Sequence, residues 1–172
     1  MFKAICYISK QLILATIPMN LPTPTLEHVC ELTVELDAIL QMGPGRAGNR
    51  RIIPIVGGTV SGPLLSGKVL NIGADWQTIF NDGVAELDTR YAMETDVGAT
   101  IEIINYGFRH GPPDVIDAIA RGESVAPDSY YMRTQARLET GDEKYGWVNR
   151  ILFVGVGTRE HSTVRLKLFA IR

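Results

Sequence analysis

The feature that most constrains the fold is a period-two alternation of apolar and polar residues, broken by turn signals about every ten residues. The segment LEHVCELTVELD, residues 26–37, has an apolar face through Cys30, Leu32 and Val34 and a mostly polar face opposite. The same kind of pattern recurs in RIIPIVGG, GKVLNIGAD, LDTRYAMET, ATIEIINYGFRHG, SYYMRTQARLET, YGWVNRILFVGVG and TVRLKLFAIR. We therefore expect a mainly β, antiparallel protein of about eight strands.

A closed barrel is favoured over a sandwich, because closure leaves no long strand edge exposed. A barrel of about eight strands has an interior wide enough for packed side chains or one small ligand. The segment PPDVIDAIARGE, residues 112–123, predicts one short helix with Asp114 as its N-cap and Gly122 just beyond its C-terminus. We expect a loop over MGPGRAGNR, residues 42–50, and a hairpin turn at Val97-Gly98.

One domain is expected over residues 26–172, preceded by an N-terminal extension or leader at residues 1–25, since 172 residues suit a single core. The apolar run from Leu12 to Ile17 follows a basic start and resembles a weak secretory signal, although Lys10 and Gln11 interrupt it. The two cysteines are too few for a disulfide framework. A cytoplasmic location is therefore expected, with secretion as the alternative.

Composition and motifs argue against several kinds of site. The formal net charge is −2 and no Lys/Arg cluster is present, so neither nucleic acid nor a membrane is an expected partner. GPLLSGKV, residues 62–69, has the spacing of a phosphate-binding loop, but Val69 replaces the magnesium-binding hydroxyl residue. The three histidines lie far apart in sequence, and no metal site or cofactor is predicted.

Polar residues occupy strand faces that can point either to water or into a cavity. Three such sets arise from the alternation in residues 87–94, 130–139 and 145–153: Asp88, Arg90 and Glu94; Tyr131, Arg133, Arg137 and Glu139; and Trp147 with Asn149. A solvated outer face is favoured for Glu94 and Arg137. The other residues are candidates for a pocket with an aromatic wall and a few polar side chains, or for an internal bridge from arginine to Asp88 or Glu102.

Three stretches resemble the domain-of-unknown-function 3237 family. The first contains a glycine pattern that ends in Asp-Trp, the second an Asp-x-Arg-Tyr motif, and the third a Tyr-aromatic-Arg-Thr motif followed by Trp-x-Asn. The matching positions are Gly57, Gly58, Gly62, Gly67, Asp75, Trp76, Asp88, Arg90, Tyr91, Tyr130, Arg133, Thr134, Trp147 and Asn149. Met132 departs from the family pattern where an aromatic residue is expected, and Val97 where the turn is often acidic.

The resemblance runs from about Leu26 to the C-terminus and implies an antiparallel, calycin-like barrel. It also favours an inward orientation for Asp88 and Arg90, together with Arg133, Trp147 and Asn149. The family has no established activity, so the resemblance supports the fold more strongly than any function.

Three functional hypotheses follow. The first is a cofactor-independent isomerase, cyclase or lyase that acts on a partly aromatic or carbonyl-bearing metabolite. Its predicted catalytic residues are Asp88, Arg90, Arg133 and Glu139, with an arginine at a developing oxyanion and a carboxylate as general base. Its predicted substrate-binding residues are Trp76, Glu102, Tyr106, Tyr131, Trp147 and Asn149. The second hypothesis is a ligand carrier or sensor, and the third is a structural subunit with a filled barrel.

Association into a homodimer or another homo-oligomer is also expected. The apolar residues of RILFVGVG, residues 150–157, and VRLKLFAI, residues 164–171, offer a seam for such an assembly.

Overall fold

The computed structural model describes residues 20–172. Residues 1–19, which carry Cys6 and most of the predicted extension or leader, lie outside the described residues. The described chain contains nine strands and one α-helix, α1 (Pro113–Ala120), which follows the sixth strand. The strands are β1 (Leu26–Leu36), β2 (Leu40–Pro44), β3 (Asn49–Ser61), β4 (Gly67–Ile79), β5 (Ala85–Thr95), β6 (Thr100–His110), β7 (Tyr131–Glu139), β8 (Phe153–Glu160) and β9 (Thr163–Ile171).

Eight of these strands form a closed antiparallel barrel, which confirms the predicted fold. Strands β3 to β9 pair in chain order, β9 pairs with β1, and β1 pairs with β3 to close the ring. Strand β2 pairs with β3 and extends the sheet beyond the ring. Gly58 lies at the closing seam, where a Cβ atom would stand 2.0 Å from the carbonyl oxygen of Thr33. Only glycine allows the two strands to approach so closely.

The alternation along each strand decides which side chains fill the barrel. In β7 the side chains of Met132, Thr134, Ala136 and Leu138 are buried, and those between them are exposed. The same inward rows in neighbouring strands bring together Met93, Ile101, Phe153 and other large apolar residues in one continuous core. Burial of each such side chain contributes about 1.5–3 kcal/mol, so the apolar rows determine which face of each strand turns inward.

One end of the barrel, which we call the α1 end, is covered by the helix. Strands β3, β5, β7 and β9 begin at this end of the barrel, and strands β4, β6 and β8 end there. Ile119 of α1 packs on Ala85, Leu87, Tyr130 and Met132 at the ends of the strands. The helix therefore forms a lid over the α1 end of the barrel.

The helix differs in one detail from the expectation. Asp114 lies in its first turn and Pro112 occupies the N-cap position, so Asp114 is not the N-cap. The proline at the first helical position is Pro113, whose fixed backbone angle suits a helix start. Gly122 has a φ of 79° just beyond the last turn, as predicted for a glycine that ends a helix.

Two predicted boundaries were wrong. Residues 145–152, expected as strand, contain a 3-10 helix over Gly146–Arg150, and β8 begins only at Phe153. The reason is local, because the Asp142 carboxylate accepts from the backbone N–H groups of Lys144 and Tyr145 and so folds the chain into a turn. Part of the expected loop at residues 42–50 is strand, since β2 extends to Pro44 and β3 begins at Asn49. The predicted turn at Val97-Gly98 is present.

The outer face of β8 and β9 bears on the expected association. Most apolar residues of these strands, among them Phe153, Leu166 and Leu168, fill the core. On the outer face, Arg165 forms an ion pair with Glu160, and Val156 is 40 % exposed. Association through this face stays a prediction, now resting on fewer apolar side chains. No helix within residues 20–172 is long and apolar enough to cross a membrane.

Candidate functional site

The expected inward orientation of the polar strand residues is wrong. Asp88, Arg90, Arg133 and Glu139 are all exposed on the outer wall of the barrel. The alternate residues of β5 and β7 point inward, and these are mainly large apolar side chains such as Tyr91. Burying the charged row would leave ionised groups in an apolar core at a high free-energy cost, which fixes the opposite orientation.

The predicted substrate-binding residues also lie outside the interior. Trp76 and Tyr131 are exposed, and Tyr106 donates its hydroxyl proton to the Glu86 carboxylate at 2.6 Å. Trp147 is partly buried beside Phe153, below the end of the barrel opposite α1. None of the predicted site residues lines the two cavities described below.

Some of these residues nevertheless meet on the outer wall. Arg90 and Glu102 form an ion pair across β5 and β6, with 2.6 Å between the closest nitrogen and oxygen. The Arg133 guanidinium lies over the Tyr131 ring at 5.4 Å from its centroid. The amide of Asn149 bonds to the backbone of Thr140 through both its oxygen and its nitrogen. These are exposed contacts, and exposed ion pairs contribute little to stability.

The interior contains a polar layer around a cavity of about 40 Å³. Four neighbouring strands, β4 to β7, each contribute one polar side chain to its wall: Asp75, Thr89, Asn105 and Thr134. We call this space the inner cavity. The Asn105 side-chain oxygen and the Thr134 hydroxyl are buried and have no hydrogen-bond partner among residues 20–172. Unpaired buried polar atoms are costly, so their presence marks this layer as a place where a polar group is accommodated.

Asp75 is the carboxylate of this layer. One of its oxygens accepts from the backbone N–H of Asp88 at 3.1 Å, and the other accepts from the Gln77 side-chain amide at 2.5 Å. Burial raises the pKa of the Asp75 carboxyl above its ordinary value. Hydrogen bonds from Gln77, Thr89 and the Asp88 N–H, together with the charge of Arg109, oppose that rise in pKa. An acid in such surroundings is well placed to exchange a proton with a bound molecule.

Gln77 connects Asp75 to a second group of charges. Its side chain is 2 % exposed, and its amide oxygen accepts from Arg51 Nε at 2.8 Å. Because the same amide donates to Asp75, both ends of the Gln77 side chain are fixed. Arg51, Gln77 and Asp75 therefore form one hydrogen-bonded chain from the mouth of the barrel to the inner cavity.

Three arginines gather at the α1 end: Arg51 from β3, Arg109 from β6 and Arg159 from β8. They line a cavity of about 600 Å³, which we call the outer cavity, between the barrel and α1. Arg109 is only 7 % exposed, and its Nε has no hydrogen-bond partner among residues 20–172. Arg159 Nε donates to the carbonyl oxygen of His161 at 3.3 Å.

The charges of these arginines act on one another. Burial, together with the neighbouring charges of Arg109 and Arg159, lowers the pKa of Arg51 to about 10. Burial likewise lowers the pKa of Arg109 and of Arg159, whereas Asp75 opposes the shift in all three. A pKa of about 10 still leaves Arg51 protonated at neutral pH. The α1 end therefore concentrates three positive charges near one partly buried carboxylate.

None of the three arginines was predicted as a catalytic or binding residue, and Asp75 was identified only as part of a family motif. A signal was present in the alternation. Arg109 continues the inward row of Ile101, Ile103 and Asn105, just as Arg51 precedes Ile53 in the inward row of β3. A charge at the end of an apolar row marks a side chain at the mouth of a barrel.

No metal centre is evident in the described part of the chain. Among residues 20–172, no group of three or more His, Cys, Asp or Glu side chains is arranged to hold a metal ion. The side chains at the α1 end include a carboxyl group, which can transfer a proton, and guanidinium groups, which can stabilise negative charge.

Known structures resemble this barrel over nearly its whole length. The conserved protein of unknown function RPA1785 from Rhodopseudomonas palustris has a TM-score of 0.85 at 39 % identity, covering 88 % of this chain and all of its own. A beta-barrel like protein from Acinetobacter baumannii AYE, ABAYE2633, has a TM-score of 0.79 at 39 % identity, covering 90 % of this chain and 99 % of its own. An enzyme from Penicillium herquei has a TM-score of 0.66 at 21 % identity, covering 88 % and 97 %, and this likeness shows the fold alone.

Sequence comparison gives the family. The UPF0311 protein RPA1785 from Rhodopseudomonas palustris is 43 % identical over 144 residues, which cover 83 % of this chain and 94 % of the relative. A family model described as "Protein of unknown function (DUF3237)" matches residues 24–171. The chain therefore belongs to the DUF3237 family of proteins of unknown function.

Proposed function

We propose that the protein is a cofactor-independent isomerase, cyclase or lyase that acts on a small carbonyl-bearing or partly aromatic metabolite at the α1 end of the barrel. Asp75 is its general acid and base. The observation that carries the proposal is the environment of Asp75, a carboxyl group with a raised pKa in a polar layer that faces a cavity. This role replaces that first expected for a carboxylate such as Asp88 or Glu139, which lie on the outer wall.

In this proposal the outer cavity binds the body of the substrate, and the inner cavity lies beside its reacting group. A small metabolite matches the outer cavity of about 600 Å³, because ligand pockets usually measure about 300–1,000 Å³. The reacting group of the metabolite extends from there toward Asp75 and the inner cavity. The wall of the outer cavity includes Ile79, Ile116 and Ile119, which suit an apolar or aromatic body.

The proposed reaction is a proton transfer. The Asp75 carboxylate removes a proton from a carbon next to the carbonyl group of the substrate. The electron pair of that C–H bond forms a C=C bond, and the π pair of the carbonyl group moves onto its oxygen. The resulting enolate is stabilised by the arginine charges, of which Arg109 acts most strongly on Asp75. In a substrate with a β,γ double bond the enolate is a dienolate, and the neutral Asp75 acid returns the proton to its γ carbon. The double bond thereby moves into conjugation with the carbonyl group, which completes an isomerisation without any other reactant.

Gln77 is a positioning residue in this scheme. Its amide orients one carboxylate oxygen of Asp75, while the Asp88 N–H orients the other. Both donors favour the ionised form of the acid and oppose the effect of burial on its pKa. The acid is thereby kept able to accept a proton as well as to return it.

The test is a thermal-shift screen of small metabolites rich in phenols, lactones and enones, followed by mass spectrometry for turnover and for deuterium uptake in D₂O. We compare wild type with Asp75→Asn and with the control Asp96→Asn, which changes an exposed carboxylate in the turn at the opposite end. The expected result is a stabilising compound whose turnover falls by about a hundredfold or more in Asp75→Asn. Asp96→Asn should retain wild-type turnover.

The alternative is a ligand carrier or sensor, which the same measurements separate from an enzyme. A compound that binds wild type without turnover or deuterium uptake supports the carrier and contradicts the enzyme. Absence of binding by every compound contradicts both and supports a structural subunit. The cytoplasmic location and the association into a homo-oligomer stay predictions, to be checked by cell fractionation and by light scattering on the purified protein.

A further inference from the structure

We infer that the substrate of this site carries an oxyanion, a carboxylate or a phosphate, which binds among Arg51, Arg109 and Arg159. The inference rests on the proposed function, because it names the substrate class of the same cavity.

Arg51, Arg109 and Arg159 line the same cavity and give it an excess of positive charge. Three guanidinium groups converge at the α1 end, and Asp75 is the one acid that opposes the pKa shift of all three. Within residues 20–172, none of the three arginines forms an ion pair with a carboxylate, although six other ion pairs are present. Desolvated positive charges without partners are costly, and an anion between them would offset that cost.

Arg109 is buried and has a hydrogen-bond donor that no described residue pairs with. Arg109 is only 7 % exposed, and its Nε has no hydrogen-bond partner in the described part of the chain. Arg51 and Arg159 each use Nε for a neutral acceptor, Gln77 and the His161 carbonyl respectively. A guanidinium group offers a planar set of donors that matches the oxygens of a carboxylate or phosphate.

The remaining lining of the outer cavity defines the rest of the ligand. Asp117 of α1 and Arg121, which follows the last residue of α1, also border the cavity. Both are exposed, and Arg121 is paired with Glu123 at 2.6 Å. Isoleucines of β4 and α1 provide an apolar wall beside the arginines. The expected ligand is therefore a small organic anion with an apolar or aromatic body.

The experiment measures binding of three aromatic probes by isothermal titration calorimetry. Benzoate carries a carboxylate, phenyl phosphate carries a phosphate, and benzamide is a neutral compound of almost the shape of benzoate. We expect at least one anion to bind about tenfold or more tightly than benzamide, with affinity that falls as salt concentration rises. Preference for benzoate identifies a carboxylate substrate, and preference for phenyl phosphate identifies a phosphate.

Variants locate the binding. Arg109→Gln should lower the affinity for the preferred anion about tenfold or more. The control Arg137→Gln, on the exposed outer face of β7, should leave that affinity unchanged. Asp75→Asn should bind the anion at least as tightly as wild type, because a competing negative charge is removed. If Arg109→Gln does not fold, the wild-type comparison of anion with benzamide still decides the matter.

Equal affinity for the anions and benzamide, no binding of either anion, or full affinity in a folded Arg109→Gln variant would overturn the inference. Those results leave Asp75 free to act on a neutral substrate. Conversely, tight anion binding with no loss of turnover in Asp75→Asn refutes the acid–base role and leaves the anion site intact. The two proposals therefore fail in different ways.

Discussion

The amide nitrogen of Gln77 lies 2.5 Å from a carboxylate oxygen of Asp75, inside a barrel whose other interior side chains are mostly apolar. The same amide accepts from Arg51, so one neutral side chain keeps a partly buried carboxyl group and a partly buried guanidinium group in fixed relation. An amide suits this position because it offers a donor to the acid and an acceptor to the arginine at once.

Replacement of Gln77 tests this relation. Gln77→Leu keeps the size of the side chain but leaves both Asp75 and Arg51 short of a partner, so we expect the free energy of unfolding to fall by about 1–3 kcal/mol. Urea unfolding at neutral pH measures the change. The matched control is Gln135→Leu on the exposed face of β7, for which we expect little change. An equal free energy of unfolding for the two variants would mean that the hydrogen bonds of Gln77 contribute nothing to stability.

The raised pKa of Asp75 makes stability depend on pH in a defined direction. Because its pKa is higher in the folded than in the unfolded protein, the folded state holds the proton more tightly. The stabilising contribution is complete below the ordinary Asp value of 3.8 and is lost as pH rises through the raised value. Asp75→Asn lacks this titration, so its free energy of unfolding relative to wild type should increase with pH across that interval.

Urea unfolding of wild type and Asp75→Asn at a series of pH values measures this difference, in which the titrations common to both proteins cancel. Asp96→Asn serves again as the control and should show no such trend. A relative stability of Asp75→Asn that decreases with pH would show that the pKa of Asp75 is lowered in the folded protein.

The fold was largely predictable because alternation of apolar and polar residues reports burial directly. The rows in β1, β5, β6, β7 and β9 have the expected period, and glycine marks the turns. The segment from Tyr145 to Leu152 was not predictable from its period, since Tyr145 and Val148 are buried at helical spacing under the barrel end. Its conformation depends on the Asp142 turn, a local hydrogen-bond effect that outweighs the alternation.

The site was less predictable than the fold. Asp88 and Arg90 were predicted as site residues because several charges lie close together on one strand face. Closely spaced charges on a strand, however, indicate a face that is exposed to solvent. Arg51, Arg109 and Arg159 are single charges at the ends of inward rows, and their convergence becomes visible only when strand direction is known. Arg51 lies near the start of β3, and the other two near the ends of β6 and β8, which antiparallel pairing brings to the same end.

The buried thiol of Cys30 gives a prediction that is independent of the site. Burial raises the pKa of Cys30 to about 12, so at pH near 8 only on the order of one molecule in ten thousand carries the thiolate. In a Cys6→Ser variant, where Cys30 is the one remaining thiol, Ellman's reagent should not react with the folded protein and should titrate one thiol in concentrated guanidinium.

The same pKa shift affects stability at alkaline pH. The contribution of Cys30 is fully present below the ordinary thiol value of 9.0 and is lost as pH rises toward about 12, because the unfolded chain loses its proton first. Rapid labelling of folded Cys6→Ser at pH near 8 would contradict the buried position of Cys30 on β1.

Close packing between β6 and β7 depends on Gly107. A Cβ atom at this position would stand 2.2 Å from the carbonyl oxygen of Arg133, a backbone atom that cannot move aside without shifting the strand. Gly107→Ala should therefore lower the free energy of unfolding by about 1–3 kcal/mol or more. Gly141→Ala is the control, because a Cβ atom there meets nothing within 4 Å. Equal urea midpoints for the two variants would be incompatible with the described pairing of β6 and β7.

The central claim is that the working surface of this protein lies inside the α1 end of the barrel and not on its charged outer wall. The most direct measurement is backbone amide chemical-shift mapping by NMR, with the compound that stabilises the protein most in the metabolite screen. We predict that the largest shifts fall on Asp75, Gln77, Arg109 and Arg159. Shifts centred instead on outer-wall residues such as Arg90, Arg133 and Glu139, with the interior unchanged, would contradict the account.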